Sequence, residues 1–177
     1  STCNNDVVAT DVAGPWPTSL GYSYVLVVTC LFSRFTLLFP MVAVTTAETA
    51  RILPDNWILV FGPMQRLLTD QGPNFTSETI SKLGTFLGFD KVVTTSYNPA
   101  GDPAERRFRH LSNSIAAAHH SNIPWPRVLS SCAYAYNVSY NRMTGSVPFF
   151  TWLGRAPRAL FPPPVDSNTG TRQTAQA

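Results

Sequence analysis

From Val7 to Met41 the apolar positions fall in three short runs rich in Val, Leu, Phe and Tyr: Val7 to Val12, Tyr22 to Cys30 and Arg34 to Met41. Gly14-Pro15-Trp16-Pro17 and Leu31-Phe32-Ser33 part them, so the pattern predicts three strands with short connections, paired as an antiparallel meander. The period then changes. Thr45-Thr46-Ala47-Glu48 has the form of an N-cap and helix start, and the helix it opens runs towards Phe61-Gly62-Pro63, where Gly and Pro stop it. Pro54 lies inside that helix, where it costs roughly 3 kcal/mol unless the helix kinks or begins again. Arg66 to Thr69 reads as a short strand. Thr76-Ser77-Glu78-Thr79 caps a second helix with Ile80, Leu83 and Leu87 on one face, ended by Gly88. A fifth strand, Lys91 to Thr95, precedes a turn-rich loop from Tyr97 to Pro103. Pro103 suits the first turn of a third helix, on which Phe108, Leu111, Ile115 and Ala118 form the buried stripe and Arg106, Arg107, Arg109 and Asn113 lie mostly off it. Further helices are expected over about Pro126 to Asn137 and Val147 to Leu153. From Pro162 the chain is Pro-rich and then Ser/Thr/Gln-rich, a composition that buries no core. Residues 162–177 are therefore expected to be a disordered tail, and 1–161 a single domain.

Composition narrows the chemistry. With 177 residues, 44% of them hydrophobic, the chain can build a substantial core. Charged residues make up only 13%, and the net charge of +3 favours a polyanionic partner only weakly. Ten residues are Asp or Glu, so any acidic cluster comes from a short roll. Cys3, Cys30 and Cys132 share no close spacing and no His pair at finger distance, and are read as reduced thiols of an intracellular protein, neither a zinc site nor a disulfide framework. No apolar run reaches the length of a membrane span, the polar N-terminus lacks the basic flank of a signal peptide, and no internal repeat is visible. A chain that opens on Ser1 is expected to be a piece of something longer.

Three carboxylates stand where they could act together. Asp70 ends the apolar run Leu67-Leu68-Thr69 and meets Gln71-Gly72-Pro73, so a strand delivers it straight into a turn; Asp11 ends a similar run before Val12-Ala13-Gly14-Pro15; Glu105 opens a basic helical stretch. Displacement at phosphate needs an activated oxygen nucleophile, a stabilised leaving oxygen and cancelled charge. Two Mg²⁺ or Mn²⁺ ions about 4 Å apart supply all three through oxygen ligands. Asp11 could bridge both ions while Asp70 and Glu105 each hold one. Taken singly, an Asp before a Gly-Pro turn is more often a turn former. The adjacent His119 and His120 project about 100° apart on a helix and read as surface, not ligands. Trp125, Tyr134 and Tyr136 read as core and interface aromatics.

The wording around the acids carries more weight than any acid alone. Asp11-Val12-Ala13-Gly14-Pro15, then Thr69-Asp70-Gln71-Gly72-Pro73-Asn74-Phe75-Thr76-Ser77, then Tyr97-Asn98-Pro99 followed by Glu105-Arg106 resemble the three catalytic blocks of retroviral-type integrases, in the form found in gypsy-like LTR retrotransposons. Val27-Val28 with Phe32-Ser33-Arg34, Phe61-Gly62, Ala135-Tyr136-Asn137, Thr144 to Phe150 and Gly154-Arg155-Ala156-Pro157 continue the resemblance, which covers about Val7 to Phe161. It implies an α/β, RNase H-like fold, a five-stranded mixed sheet flanked by helices, to which the predicted element order also conforms. It implies a homo-oligomeric catalytic core that binds two Mg²⁺ or Mn²⁺ ions through Asp11, Asp70 and Glu105. That core would trim and join element ends to target DNA, in the nucleus when the target is chromosomal. Arg106, Arg107 and Arg109 would hold phosphates, and Gln71, Asn74, Tyr97 and Asn98 would border the acids on the DNA. The chain departs from the family in places. Cys30-Leu31 stand where an Asp-Arg pair is usual, Asn98 where His is usual, and Pro63-Met64 where an apolar residue followed by Pro is usual. Only 34 residues, positions 71–104, separate Asp70 from Glu105 where thirty-five are usual. An ungapped reading would put Arg106 in the acid's place, whereas Glu105 keeps Arg109, Leu111 and Ile115 at their offsets. These departures leave open a decayed or domesticated remnant that binds nucleic acid or protein without catalysis. A simple nuclease of the same fold is a further alternative.

Overall fold

The structure, a computed structural model, describes residues 1–69, 78–93 and 103–158, with the side chains at 78–79, 103–110 and 119 outside that description. Five strands form one sheet: β1 (Val7–Ala13), β2 (Tyr24–Cys30), β3 (Thr36–Met41), β4 (Arg66–Thr69) and β5 (Asp90–Val93), in the order β3-β2-β1-β4-β5. β1 pairs antiparallel with β2 and β2 with β3, the meander expected of three runs on short connections. β4 joins β1 in parallel, with Thr10 opposite Thr69, and β5 joins β4 in parallel. The sheet is mixed because helices intervene only after β3, and a helix returns the chain to the end where the preceding strand began.

Side-chain alternation gives the sheet two covered faces. Val8, Leu26, Val28 and Cys30 share one face with Ile52, Leu53, Trp57 and Ile58 and with Ile80. Ile52 and Leu53 belong to α1 (Thr46–Leu53), Trp57 and Ile58 to its continuation, and Ile80 to α3 (Glu78–Leu87). The opposite face presents Ala13, Val25 and Val27 to Leu111, Ile115 and Ala118 of α4 (Pro103–His120), to Trp125 in the 3₁₀ turn Trp125–Val128, and to Leu129 of α5 (Leu129–Asn137). The chain is thus a helix–sheet–helix sandwich, with β1 the middle strand and β2 beside it buried along nearly its whole length.

The first helix does not run unbroken. Thr45 caps it, its hydroxyl accepting the Glu48 N–H at 3.3 Å. At Pro54 the winding loosens into a π segment, Pro54–Ile58, before a last turn, α2 (Leu59–Phe61). Proline has no N–H and its ring crowds the preceding turn. Past the proline the winding is wider: Leu59 N–H reaches back to the Pro54 carbonyl, and the Asn56 side-chain amide donates to the Ile52 carbonyl at 2.8 Å. So the helical winding does not stop at Pro54, and Trp57 and Ile58 stay buried. Gly62, at φ 85°, ends it, and Gly88, at φ 79°, follows α3, both as expected. The expected helix from Pro126 starts as the 3₁₀ turn and becomes α-helical at Leu129, and the last described helix is α6 (Pro148–Leu153). Thr94 and Thr95, expected in the fifth strand, the Thr76–Ser77 part of the α3 cap, and the tail from Pro162 lie outside the described residues.

Candidate active site at the strand ends

Asp11 is the one predicted metal ligand whose side chain is described. It sits on β1 opposite Val27, two residues before Ala13, and both neighbours belong to the cluster under α4. Alternation therefore puts the Asp11 carboxylate on the α4 face of the sheet. It is half-buried there, and its Oδ1 accepts the N–H of Val12 at 2.8 Å. The parallel register that sets Thr10 beside Thr69 brings the end of β4 to the same sheet edge as Asp11. Both threonines are buried, and the Thr10 hydroxyl donates to the Leu68 carbonyl at 3.5 Å.

Asp70 follows Thr69 in the chain but lies outside the described residues, as do Gln71, Asn74, Tyr97 and Asn98. Glu105, Arg106, Arg107 and Arg109 belong to α4, in its first two turns, with side chains outside the description. What is established of α4 is its seat: Leu111, Ile115 and Ala118, three members of the expected stripe, are buried against β1 and β2 on the face that carries Asp11. Among the described residues no group of three or more His, Cys, Asp or Glu side chains is close enough to hold a metal ion, a statement that reaches neither Asp70 nor the Glu105 side chain. Asp11 itself is a hard oxygen donor of the kind Mg²⁺ or Mn²⁺ requires. His120 is exposed, as expected, and Cys3, Cys30 and Cys132 are free thiols.

Residues that pattern alone did not single out fasten the other ends of β1 and β4, where the two strands begin. The Asn5 amide donates to the carbonyls of Phe61, Gly62 and Pro63, and its Oδ1 accepts the Trp57 indole N–H at 2.9 Å, which ties the chain just before β1 to the end of the first helix. Asp6 accepts from the Cys3 thiol, from the Thr2 N–H and hydroxyl and from the Cys3 N–H, and its backbone carbonyl accepts the Arg66 N–H at the start of β4. The thiol contact is the chief reason its pKa lies well below the usual carboxylate range, and the same contact pushes the Cys3 thiol up. A polar N-terminus gives no periodic signal by which these two residues could have been found.

A family profile described as "Integrase core domain" matches residues 1–99, more than half of the chain. The Gypsy retrotransposon integrase-like protein 1 of Mus musculus is 26% identical over 168 residues, 93% of this chain and 32% of that protein. The Retrovirus-related Pol polyprotein from transposon 412 of Drosophila melanogaster is 24% identical over 153 residues, 85% of this chain and 12% of that protein. The chain thus spans a third or less of the length of these curated relatives. Among solved structures, the catalytic core domain of BIV integrase superposes with a TM-score of 0.67 at 21% identity, covering 85% of this chain and 95% of that one. The HTLV-2 integrase catalytic core domain, in complex with magnesium and in a trimeric form, gives 0.68 at 17% identity, covering 84% and 97%. The chain belongs to the integrase core domain family, of the retrotransposon and retrovirus type, and its five-stranded sheet with flanking helices is the RNase H-like fold of retroviral integrase cores.

Proposed function

We propose that this chain is the catalytic core of a metal-dependent DNA integrase that hydrolytically trims the 3′ ends of element DNA and joins the new 3′-hydroxyls to target DNA. The observation that carries this reading is the placement of Asp11, on the sheet face under α4 and at the edge where β4 ends. Continuing the register of β1 on β4 by one pair beyond Thr10 and Thr69 would set Asp70 beside Asp11 on that face, and α4 opens two residues before Glu105. Asp11, Asp70 and Glu105 would then hold two Mg²⁺ or Mn²⁺ ions. Metal bound there would activate the attacking oxygen and stabilise the leaving oxygen in both steps, since each is an in-line displacement at phosphorus. Arg106, Arg107 and Arg109 would grip phosphates beside the acids, and Gln71, Asn74, Tyr97 and Asn98 would contact the nucleotides next to the reacting bond. The core would act as a homo-oligomer in the nucleus, on element ends and chromosomal target. A branched DNA that needs no further domains tests the chemistry: the wild type should join strands in Mn²⁺, and Asp11→Asn, folded by its melting temperature without metal, should not. Equal product from both proteins would overturn the reading.

A second reading, a non-catalytic remnant, is favoured by the 34-residue spacing between Asp70 and Glu105. A helix slid by one position turns about 100°, which would replace Glu105 by Arg106, a side chain that holds no cation. If the wild type is inactive, activity restored by one residue inserted between Gly101 and Ala104 would locate the defect in that loop. Inactivity that the insertion leaves unchanged would support the remnant.

A further inference from the structure

The connection between β1 and β2 leaves the sheet at the edge where β4 also ends, directly after the strand that carries Asp11. It is held along its length. Trp16 N–H donates to the Ser23 carbonyl at 2.8 Å, Ser19 and Tyr22 exchange both backbone bonds at 3.0 Å, and the Thr18 and Ser23 hydroxyls meet at 2.8 Å. The Trp125 indole donates to the Pro17 carbonyl at 2.9 Å, and its ring packs on Trp16, so the connection is also fastened to the turn that follows α4. This leaves a rigid two-residue apex, Leu20-Gly21, with both residues at positive φ, 51° and 84°, as a type I′ hairpin turn requires.

Leucine is a poor choice for that apex. A branched apolar side chain at positive φ is strained, and Asn, Asp or Gly would serve without cost. The other described non-glycine residues at positive φ are Asn5, Arg34 and Asn122. Two of these are asparagines, a type that tolerates the region, and Arg34 is held by its N–H on the Cys30 carbonyl. Leu20 gains little from packing, since it is 57% exposed. Strain kept without a folding benefit points to use at a surface. The flanking residues Thr18, Ser19 and Ser23 offer hydroxyls, residues 14–23 contain no carboxylate, and Arg127, exposed, lies two residues from Trp125. One exposed leucine, flanked in the chain by hydroxyl residues, is far smaller than a stable protein interface needs. It suits a duplex, whose phosphates take hydroxyl and guanidinium donors and whose base steps admit an apolar wedge.

Resting on the integrase reading of the site, we infer that the Leu20 turn is a DNA wedge: its side chain enters a groove at a base step and holds the duplex against the sheet edge that carries Asp11. The test is fluorescence anisotropy of the whole chain on a fully paired duplex and on the same duplex with a two-nucleotide mismatch, at one salt concentration. A step already unstacked spares the wedge the work of opening it, so the wild type should bind the mismatched duplex roughly tenfold more tightly. Leu20→Asn and Leu20→Gly should bind both duplexes alike while melting at or above the wild-type temperature, because each relieves the apex. A preference that survives in either variant, or a melting temperature that falls in both, overturns the wedge. Wild-type joining of the branched substrate with no effect of Leu20 on duplex preference would sink the wedge and leave the integrase reading standing. A wild type that binds neither duplex would overturn both.

Discussion

Asn137 shows how one side chain can finish an edge strand. β3 ends the sheet on one side, so the outward backbone groups of Thr36 have no strand to meet. Asn137, at the end of α5 and 2% exposed, accepts the Thr36 N–H at 2.8 Å and donates to the Thr36 carbonyl at 2.7 Å. Asn137→Ala orphans a buried donor and a buried acceptor, and should lower unfolding free energy by about 2–4 kcal/mol in a urea titration. A loss below half a kcal/mol would mean that water takes its place. Asp6 makes a pH prediction. Its pKa is lowered on folding, so its contribution is full above the unfolded value of about 3.9 and drains away as pH falls through the folded one. The wild type should therefore exceed Asp6→Asn in urea midpoint by a constant margin from pH 7 to 5, and the margin should shrink below pH 4. The same substitution should speed alkylation of Cys3 at neutral pH, because the contact that raises its pKa is weakened.

At the scale of elements, an aromatic cluster binds α6, the last described helix, to the first. Trp152 of α6 stacks on Phe35 at 5.1 Å and 11°, meets Phe61 edge-on at 5.1 Å, and lies 5.5 Å from Trp57. Asn4 adds a polar tie, donating to the Thr151 carbonyl at 2.8 Å. Trp152→Ala should cost about 3 kcal/mol, and hydrogen exchange should show α6 opening before the sheet does. Exchange that rises uniformly over the chain would contradict so local a role. On the sheet's other edge, α3 turns into β5 through Gly84, whose carbonyl accepts from both Gly88 and Phe89. A Cβ there would stand 2.6 Å from the Phe89 carbonyl oxygen, a backbone atom that cannot swing aside. Gly84→Ala should therefore destabilise by about 1–3 kcal/mol even though alanine is the better helix former, and a neutral or stabilising result would show that α3 can shift on the sheet.

For the whole molecule the informative measurement is linkage. A metal that binds only the native chain raises its melting temperature, by an amount equivalent to about 2.7 kcal/mol at a hundredfold excess over Kd. Mn²⁺ should stabilise the wild type, and Asp70→Asn, which removes charge while keeping shape, should lose most of the gain. An identical shift in both proteins would place the stabilising ion elsewhere.

The three-strand meander, the break at Gly62 and the stripe on α4 were legible in the sequence because each rests on local rules: strand runs between turn formers, a glycine at positive φ, and a period of 3.6. Membership of the integrase core family was legible too, because its blocks are contiguous words around Asp11, Asp70 and Glu105. The loosened winding at Pro54 was not, since local propensity forecasts a broken helix. Burial of Trp57 and Ile58 against the sheet outweighs that cost and keeps the chain on its path. That Asp11 shares a sheet face with α4 was implied by the family resemblance, but the hydrophobic pattern could not show it. That depends on the parity of two strand registers and on which helix covers which face, both set by contacts between residues far apart in the chain. Asn5 and the task of Asn137, a residue noted only as part of the resemblance, were silent for the same reason: an asparagine on a surface and one pairing with a distant stretch of backbone read alike until the chain is folded.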